Sequence, residues 1–155
     1  MPNRLKHKTD RKGFTLIELL VVIGILAILL AIVLVAINPG RQFEQANDTK
    51  RSSDVNAILN AIHQYAADNQ GNLPFTIEAD TVTSITHTDL GESFCTNLIP
   101  TYMAALPTDP ALNTEPIEPA DCATAGWTTG YSVARSATDG RITVSHEASN
   151  IRVIR

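Results

Sequence analysis

Charged and polar side chains are almost absent from one long part of this 155-residue sequence. Between Phe14 and Ile37 the only charged residue is Glu18, and the only other polar residue is Thr15. A core helix of a soluble protein would show a polar stripe, which this segment lacks. As a helix it would extend about 36 Å, enough to cross a hydrocarbon core of about 30 Å. We therefore predict that residues 14–37 span a membrane.

The motifs of common enzyme active sites are also missing. The sequence has no nucleophile–base motif, no glycine-rich phosphate loop and no pair of histidines at metal-binding spacing. Its histidines are scattered, and each is better explained as a structural or solvated residue: His7, His63, His87 and His146. We therefore expect no enzymatic activity, no catalytic residue and no cofactor.

Basic residues, in contrast, are concentrated immediately before the apolar segment. Five of them are opposed there only by Asp10. The positive-inside tendency then predicts that residues 1–13 stay in the cytoplasm and that the C-terminal part crosses the membrane. A cleaved secretory signal would have a shorter apolar region ending in a small-residue cleavage site, and Ala36-Ile37-Asn38 matches such a site poorly. The span is expected to persist in the finished protein.

Cysteine is scarce, with only Cys95 and Cys122 in the chain. They lie far apart without a nearby histidine, which is not the ligand spacing of a zinc site. An exported domain meets an oxidising compartment, which favours disulfides. We predict a Cys95–Cys122 disulfide and no metal site, and two buried free thiols are the alternative.

The junction KGFTLIELL, residues 12–20, strongly resembles the processing and assembly motif of the type IV pilin superfamily. That superfamily includes type IV pilins and type II secretion pseudopilins. The resemblance implies that a prepilin peptidase cuts between Gly13 and Phe14, that the new N-terminal Phe14 is N-methylated, and that Glu18 acts in filament assembly. The spaced acidic loop that binds Ca²⁺ in major pseudopilins is missing here, where only Ala-Thr-Asp-Gly stands before Arg141.

The resemblance also suggests why an acid occurs in the apolar segment. An unpaired carboxylate in hydrocarbon costs several kcal/mol, and Lys12 is too far along the chain to pair with Glu18 at helical spacing. Cleavage would create an ammonium on Phe14. In a filament, Glu18 of a neighbouring subunit would neutralise that ammonium and so fix the axial register, as buried polar groups do elsewhere. The alternative is a carboxylate that snorkels to the interface or is protonated.

The fold implied by the resemblance is α+β and pilin-like. A long N-terminal helix, with a membrane-spanning half and an amphipathic half, packs on a small C-terminal antiparallel sheet. The predicted organisation is a removed leader (1–13), a transmembrane or filament-core helix (14–37), an amphipathic half (38–71) and a globular head (72–155). Asn38-Pro39-Gly40 should interrupt the helix. Apolar residues at helical spacing mark the core-facing stripe: Val55, Ile58, Leu59, Ile62, Tyr65 and Ala66. Gly71 is expected to end the helix.

The head is harder to assign from its sequence. Residues 72–129 are rich in turns, and only a short helix or turn within 95–110 is predicted there. Residues 130–148 alternate as a β-hairpin, which places Tyr131 and Val133 beside Val144 and His146 on the face that covers the amphipathic helix. Ile151 and Val153 suggest one further short strand.

These observations predict a structural subunit of a helical pilus or pseudopilus-type filament. The precursor would be a single-pass inner-membrane protein with a cytoplasmic N-terminus, and the filament would be extracellular or periplasmic. The resemblance implies as partners copies of the chain itself, the prepilin peptidase that also methylates it, an inner-membrane assembly platform with its ATPase, and minor pilins or pseudopilins. The alternatives are a signal-anchored exported enzyme or binding module with a pilin-like N-terminus, and an adhesin carried on a filament.

Charge disfavours nucleic acid as a partner. Removal of residues 1–13 leaves seven basic and fifteen acidic residues, a formal net charge of −8, which opposes nonspecific phosphate binding. A local basic patch is still allowed, because residues 135–155 contain four arginines against two acids, namely Arg135, Arg141, Arg152 and Arg155 against Asp139 and Glu147.

Overall fold

The computed structural model describes residues 13–155, so the predicted leader lies outside the described residues except for Gly13. Two compact units divide the chain, the first ending at Gln42 and the second comprising Phe43–Arg155. The helices and strands confirm the expected α+β class. In chain order they are α1 (Leu16–Ile37), α2 (Pro39–Asp68), β1 (Val82–Thr86), α3 (Gly91–Leu98), β2 (Thr128–Arg135), β3 (Ile142–His146) and β4 (Ile151–Ile154), with a 3₁₀ turn at Pro110–Leu112.

Helix α1 is apolar on every side, and all of its side chains are exposed in the single chain. It is long and apolar enough to cross a membrane. It ends at Asn38, whose backbone is left-handed with φ of 46°. The residue before a proline is disfavoured in helical conformation, and a proline fits the first position of a helix because its missing N–H has no partner there. The predicted interruption is confirmed, since α2 begins at Pro39.

Helix α2 supplies one wall of the core through the predicted stripe. Val55, Ile58, Leu59 and Ile62 are fully buried, and Tyr65 packs at the edge of the same cluster. The helix ends one residue earlier than predicted, because Gln70 rather than Gly71 takes the first left-handed position, with φ of 57°. The Gly71 N–H then donates to the Ala66 carbonyl over 2.7 Å, which closes the last turn.

The four strands form one antiparallel sheet in the order β1-β2-β3-β4. The hairpin prediction is confirmed, because Val133 pairs with Val144 and the Ser136 N–H donates to the Arg141 carbonyl over 2.9 Å. Side chains on the face predicted to point inward are buried: Tyr131, Val133, Val144 and His146. The further strand suggested by Ile151 and Val153 is also present as β4.

Two elements of the head differ from the sequence predictions. Strand β1 was not expected, because its sequence VTSIT is mostly hydroxylated and only Ile85 is buried. A short helix or turn was expected within residues 95–110, whereas α3 covers Gly91–Leu98 and overlaps only the start of that segment. It forms where it does because Phe94, Cys95 and Leu98 share one buried side.

Candidate functional site

The predicted cleavage junction lies in irregular, exposed backbone before α1. Residues 13–15 are not helical, and the Phe14 side chain is 90% exposed. Apart from Gly13 and its chain neighbours, no atom of the described chain lies within 4 Å of the position that a Cβ on Gly13 would take. The Gly13–Phe14 bond is therefore accessible, and a protease could bind it without unwinding the helix.

Thr15 and Glu18 form a reciprocal cap at the start of α1. The Thr15 N–H donates to Glu18 Oε2 over 2.8 Å, and the Glu18 N–H donates to Thr15 Oγ1 over 3.2 Å. The Thr15 hydroxyl also lies 2.8 Å from Glu18 Oε2, as a donor to the carboxylate. A capping box satisfies two N–H groups that a helix start would otherwise leave unpaired. This contact was not predicted from the sequence, although the spacing Thr-x-x-Glu is typical of a capping box.

Cleavage at the predicted junction would change the charges at the N-terminal end of α1. In the uncleaved chain the Phe14 nitrogen belongs to a peptide bond and carries no charge. A cut after Gly13 would convert it to an ammonium four residues from the Glu18 carboxylate. Apolar side chains border Glu18 on the same surface, namely Phe14, Ile17, Val21 and Val22. Processing would thus place one positive and one negative charge at the end of an otherwise apolar helix.

The disulfide prediction is confirmed in the head. Cys95 and Cys122 are bonded, and both are buried. The bond joins α3 to the segment that precedes β2. The backbone carbonyl of Cys122 also accepts a hydrogen bond from the Trp127 indole N–H over 3.2 Å. The disulfide therefore fixes a segment that has little regular structure of its own.

Asp109 connects three parts of the second unit and was not singled out from the sequence. One carboxylate oxygen accepts Arg51 Nε–H over 2.7 Å and the Ala111 N–H over 3.3 Å. The other lies 3.1 Å from His146 Nε2. Because His146 Nδ1 accepts the Ser149 N–H over 3.3 Å, we assign the ring proton to Nε2, which donates to Asp109. We call Arg51, Asp109 and His146 the Asp109 cluster.

Burial and charge act on Asp109 in opposite directions. Its side chain is only 8% exposed, and burial alone would raise the pKa of the carboxyl group. The hydrogen bond from Arg51 and the Ala111 N–H outweigh burial and hold the pKa of Asp109 below its usual value. The Asp109 cluster therefore contains a buried ion pair, with Arg51 from α2 and Asp109 from the segment between α3 and β2.

Close packing around Asp109 also explains a glycine in β2. At Gly130 the backbone φ is +79°, and an added Cβ would lie 2.8 Å from the Asp109 Cβ. A side chain there would both strain the backbone and displace Asp109. A second polar contact lies beside the cluster, where the Tyr131 hydroxyl donates to Asp54 over 2.8 Å. Helix α2 is thus tied to the sheet by polar bonds as well as by its apolar stripe.

The remaining histidines of the described chain take different roles. His87 packs edge-on against Trp127, with ring centroids 5.8 Å apart, and His63 lies on α2. Within residues 13–155 no three His, Cys, Asp or Glu side chains come together in a way that could hold a metal ion. The structure brings Thr15, Glu18 and the cleavage junction together in one unit, and Cys95 and Cys122 together in the other.

Comparison with known proteins adds one finding. The family described as the prokaryotic N-terminal methylation motif matches residues 8–34, which include the KGFTLIELL junction and most of α1. This motif is the prepilin signature of type IV pilins and pseudopilins, and the chain carries it. No curated protein and no solved structure matched the chain. The interpretation of the head therefore depends on its own geometry.

Proposed function

We propose that this chain is the precursor of a structural subunit of a type IV pilus or pseudopilus-type filament. The observation that supports the proposal most is the position of the methylation motif. It includes an accessible glycine, Gly13, and most of a helix that is exposed on all sides and apolar except for Glu18. A membrane would cover this surface in the precursor, and the same helices of other copies would cover it in the filament.

The energetic reason for assembly is the apolar surface of α1. Burying one Leu, Ile or Val side chain contributes about 1.5–3 kcal/mol, and every such residue of α1 is exposed in the single chain. A helix that is apolar on all sides has no preferred axial position against its neighbours. Glu18 supplies that preference by pairing with the Phe14 ammonium of an adjacent subunit, since any other register would bury both charges unpaired.

The same proposal assigns a location and partners. The precursor lies in the inner membrane with residues 1–13 in the cytoplasm, and the unit from Phe43 onward lies on the other side. A prepilin peptidase removes residues 1–13 and methylates Phe14. An assembly platform and its ATPase then extract the subunit, and minor pilins or pseudopilins accompany it. The chain itself acts as a building block without a catalytic role.

Mass spectrometry of the mature N-terminus tests the proposal. Full-length protein coexpressed with a prepilin peptidase should yield a chain of residues 14–155 that carries one N-methyl group on Phe14. Gly13→Leu should block this cleavage. Because nothing in the described chain lies near the Gly13 Cβ position, the block would reflect the peptidase and not misfolding.

Gly24→Leu is the matched control, since Gly24 has equally open surroundings on the same helix and lies away from the junction. It should be cleaved like the wild type. Purified filaments that retain residues 1–13 would contradict the proposal. A membrane-bound monomer that keeps its leader in the presence of active peptidase would instead support the signal-anchored exported module.

A further inference from the structure

The arginines and lysines of the mature chain are unevenly distributed. Residues 52–134 contain none, whereas residues 135–155 contain four arginines. Two of these four are already engaged, because Arg141 pairs with Asp139 over 3.0 Å and Arg155 donates to Asn60 over 2.7 Å. Arg152 is exposed and forms no ion pair within the described residues. Among residues 13–155 it therefore has no acidic partner.

The position of Arg152 makes it available to another molecule. In the part of the chain that the structure describes, strand β4 pairs with β3 alone, so its second edge has no strand beside it. Arg152 lies opposite Ser145, and the same row continues through Ser132 to Ser84. Paired residues in a sheet share a face, so Arg152 lies in a row whose other members are serines, with Glu147 beside that row. Such a face allows a close approach by a second protein surface.

A groove in the head has the complementary chemistry. It has a volume of about 360 Å³ and is lined by Trp127, by the carboxylate residues Glu115 and Asp121, and by four threonines (Thr108, Thr114, Thr124 and Thr128). None of its lining residues is basic. We call it the Trp127 groove. The bond from the Trp127 indole N–H to the Cys122 carbonyl holds the ring in place, and the disulfide holds Cys122.

An arginine side chain suits this groove better than other groups. A planar guanidinium stacks on a tryptophan ring and at the same time donates two parallel hydrogen bonds to a carboxylate. Asp121 uses one oxygen to accept the Glu118 N–H over 3.1 Å, so Glu115 is the carboxylate with both oxygens free of hydrogen bonds within the described chain. An anionic ligand would be repelled by both acids.

Arg152 cannot reach the Trp127 groove of its own chain. Strand β4 is two strands from β2, about 10 Å across the sheet at a spacing near 4.8 Å. Along β2, Thr128 at the groove is about 14 Å from Ser132, the residue in the row of Arg152, at about 3.4 Å per residue. The separation of roughly 17 Å exceeds the length of an arginine side chain, which is about 7 Å. A contact between the two would therefore join two copies.

We propose that Arg152 of one subunit inserts into the Trp127 groove of another. The two surfaces are different, so the contact is heterologous, and a repeated heterologous contact builds an open helical array. The inference rests on the proposed filament function, for which it names the head-to-head partner surfaces.

Zero-length crosslinking in intact cells tests the contact. One copy carries Arg152→Lys together with Glu115→Gln and Asp121→Asn, and a coexpressed tagged copy is otherwise wild type. A carbodiimide then links an amine only to a carboxylate that it touches. We expect a covalent dimer in which position 152 of the first copy is joined to Glu115 or Asp121 of the tagged copy, identified by peptide mass spectrometry.

The control copy carries Arg135→Lys in place of Arg152→Lys, since Arg135 is also exposed and forms no ion pair within the described residues. It should give at least tenfold less crosslink to the groove acids. No product from position 152, or equal product from position 135, would overturn the inference. If filaments form but this crosslink is absent, the contact is rejected and the filament function stands. If the crosslink forms in cells without filaments, the filament function is rejected and the contact stands.

A charge exchange provides an independent readout. Arg152→Glu and Glu115→Arg should each lower the amount of sheared filament about fivefold or more, and the double variant should recover to within about twofold of the wild type. Glu92→Arg is the matched control, because it reverses a charge outside the Trp127 groove. It should change the amount of sheared filament little. An intact Cys95–Cys122 disulfide on a non-reducing gel verifies folding. Single variants with normal yield, or a double variant without recovery, would contradict the contact.

Discussion

Glu18 has different partners available before and after processing. In the precursor its carboxylate accepts hydrogen bonds from the Thr15 N–H and hydroxyl, which cap helix α1. After cleavage a neighbouring Phe14 ammonium would be a stronger partner, because a charge-assisted bond in an apolar surrounding outweighs a neutral one. Glu18 therefore has two roles that experiments must distinguish: capping of α1 in the precursor and pairing with Phe14 in the filament.

Glu18→Ala should leave membrane insertion and cleavage intact while filament assembly fails or becomes sparse. The membrane tolerates the change because it removes an intramembrane charge, and the junction is untouched. Assembly fails because the Phe14 ammonium loses its partner. Glu18→Gln should be nearly as damaging if charge neutralisation matters, and should assemble substantially if a hydrogen bond suffices. Sheared filament yield, with the N-terminus checked by mass spectrometry, is the measurement.

Thr15→Ala is the control that separates capping from register. It removes the Thr15 hydroxyl from the cap, at a cost of about 1 kcal/mol in helix stability, but leaves the Glu18 carboxylate in place. Assembly should persist in this variant. Equal loss of filaments in Thr15→Ala and Glu18→Ala would show that Glu18 acts through the cap, and normal yield from Glu18→Ala would show that it sets no register.

Asp109 makes the head sensitive to acid. Its pKa is lower in the folded state than in the unfolded state, so its contribution to stability is present above about pH 4 and is lost as the pH falls through the folded-state value. The free energy of unfolding should therefore drop on acidification, followed by fluorescence of Trp127, the one tryptophan. Asp109→Asn should flatten this pH dependence.

At neutral pH, Asp109→Ala should destabilise the second unit by about 1.5–3 kcal/mol, because it removes the buried partner of Arg51 and leaves that guanidinium only its ion pair with the more exposed Asp48. Asp139→Ala is the control, since Asp139 pairs with Arg141 at the surface, and it should cost less than about 1 kcal/mol. Similar losses in the two variants would mean that the Asp109 cluster is not a buried ion pair in solution.

At the scale of elements, the disulfide and α2 stabilise different parts of the second unit. The segment between α3 and β2 has little regular structure, and the Cys95–Cys122 bond fixes it beside α3 in addition to the buried side chains of Leu106 and Ile117. Helix α2 instead packs along the sheet through its buried stripe and through the bonds from Arg51 to Asp109 and from Tyr131 to Asp54. Loss of the disulfide should therefore loosen the segment between α3 and β2 while α2 stays packed on the sheet.

The double variant Cys95→Ala and Cys122→Ala should lower the free energy of unfolding by about 3–4 kcal/mol, since closing a loop of this size restricts the unfolded chain. Limited proteolysis should show new cuts within residues 96–121 while α2 stays protected. Uniform protease sensitivity across α2 and the sheet would contradict this local effect. Peptide mapping that finds both thiols free in alkylated, exported wild-type protein would show that the bond does not form in solution.

At the scale of the whole molecule, the two units differ in what stabilises them. The buried core of the described chain runs from Val55 to Val144 and contains no residue of α1. Deletion of residues 1–37 should therefore give a soluble protein whose free energy of unfolding, measured by Trp127 fluorescence, stays within about 1 kcal/mol of that of the full chain in detergent. The truncated protein should also keep its disulfide.

An unfolded product would show that α1 is needed for the fold of the second unit. Addition of the truncated protein to full-length protein provides the matching functional control. It should not enter filaments, because it lacks both the apolar helix and Glu18. Its incorporation at wild-type levels would argue that contacts between heads, and not α1, dominate assembly.

The sequence by itself determined the features that depend on neighbouring residues. The span, the interruption at Asn38, the stripe from Val55 to Ile62 and the parity of the hairpin all follow from local patterns of apolar residues and from proline. The methylation motif around Gly13 and Phe14 is contiguous in sequence, so it could also be recognised from neighbouring residues. The capping of Glu18 by Thr15 was equally local, and its spacing would have revealed it.

Only the tertiary structure decided the features that join distant residues. Strand β1 has little apolar alternation and exists because β2 lies beside it. Asp109 meets Arg51 and His146 across 58 and 37 positions of sequence, and no local pattern marks such partners. The Trp127 groove likewise combines residues on both sides of Cys122. Burial and charge compensation depend on the folded surroundings of a side chain, which a linear pattern does not contain.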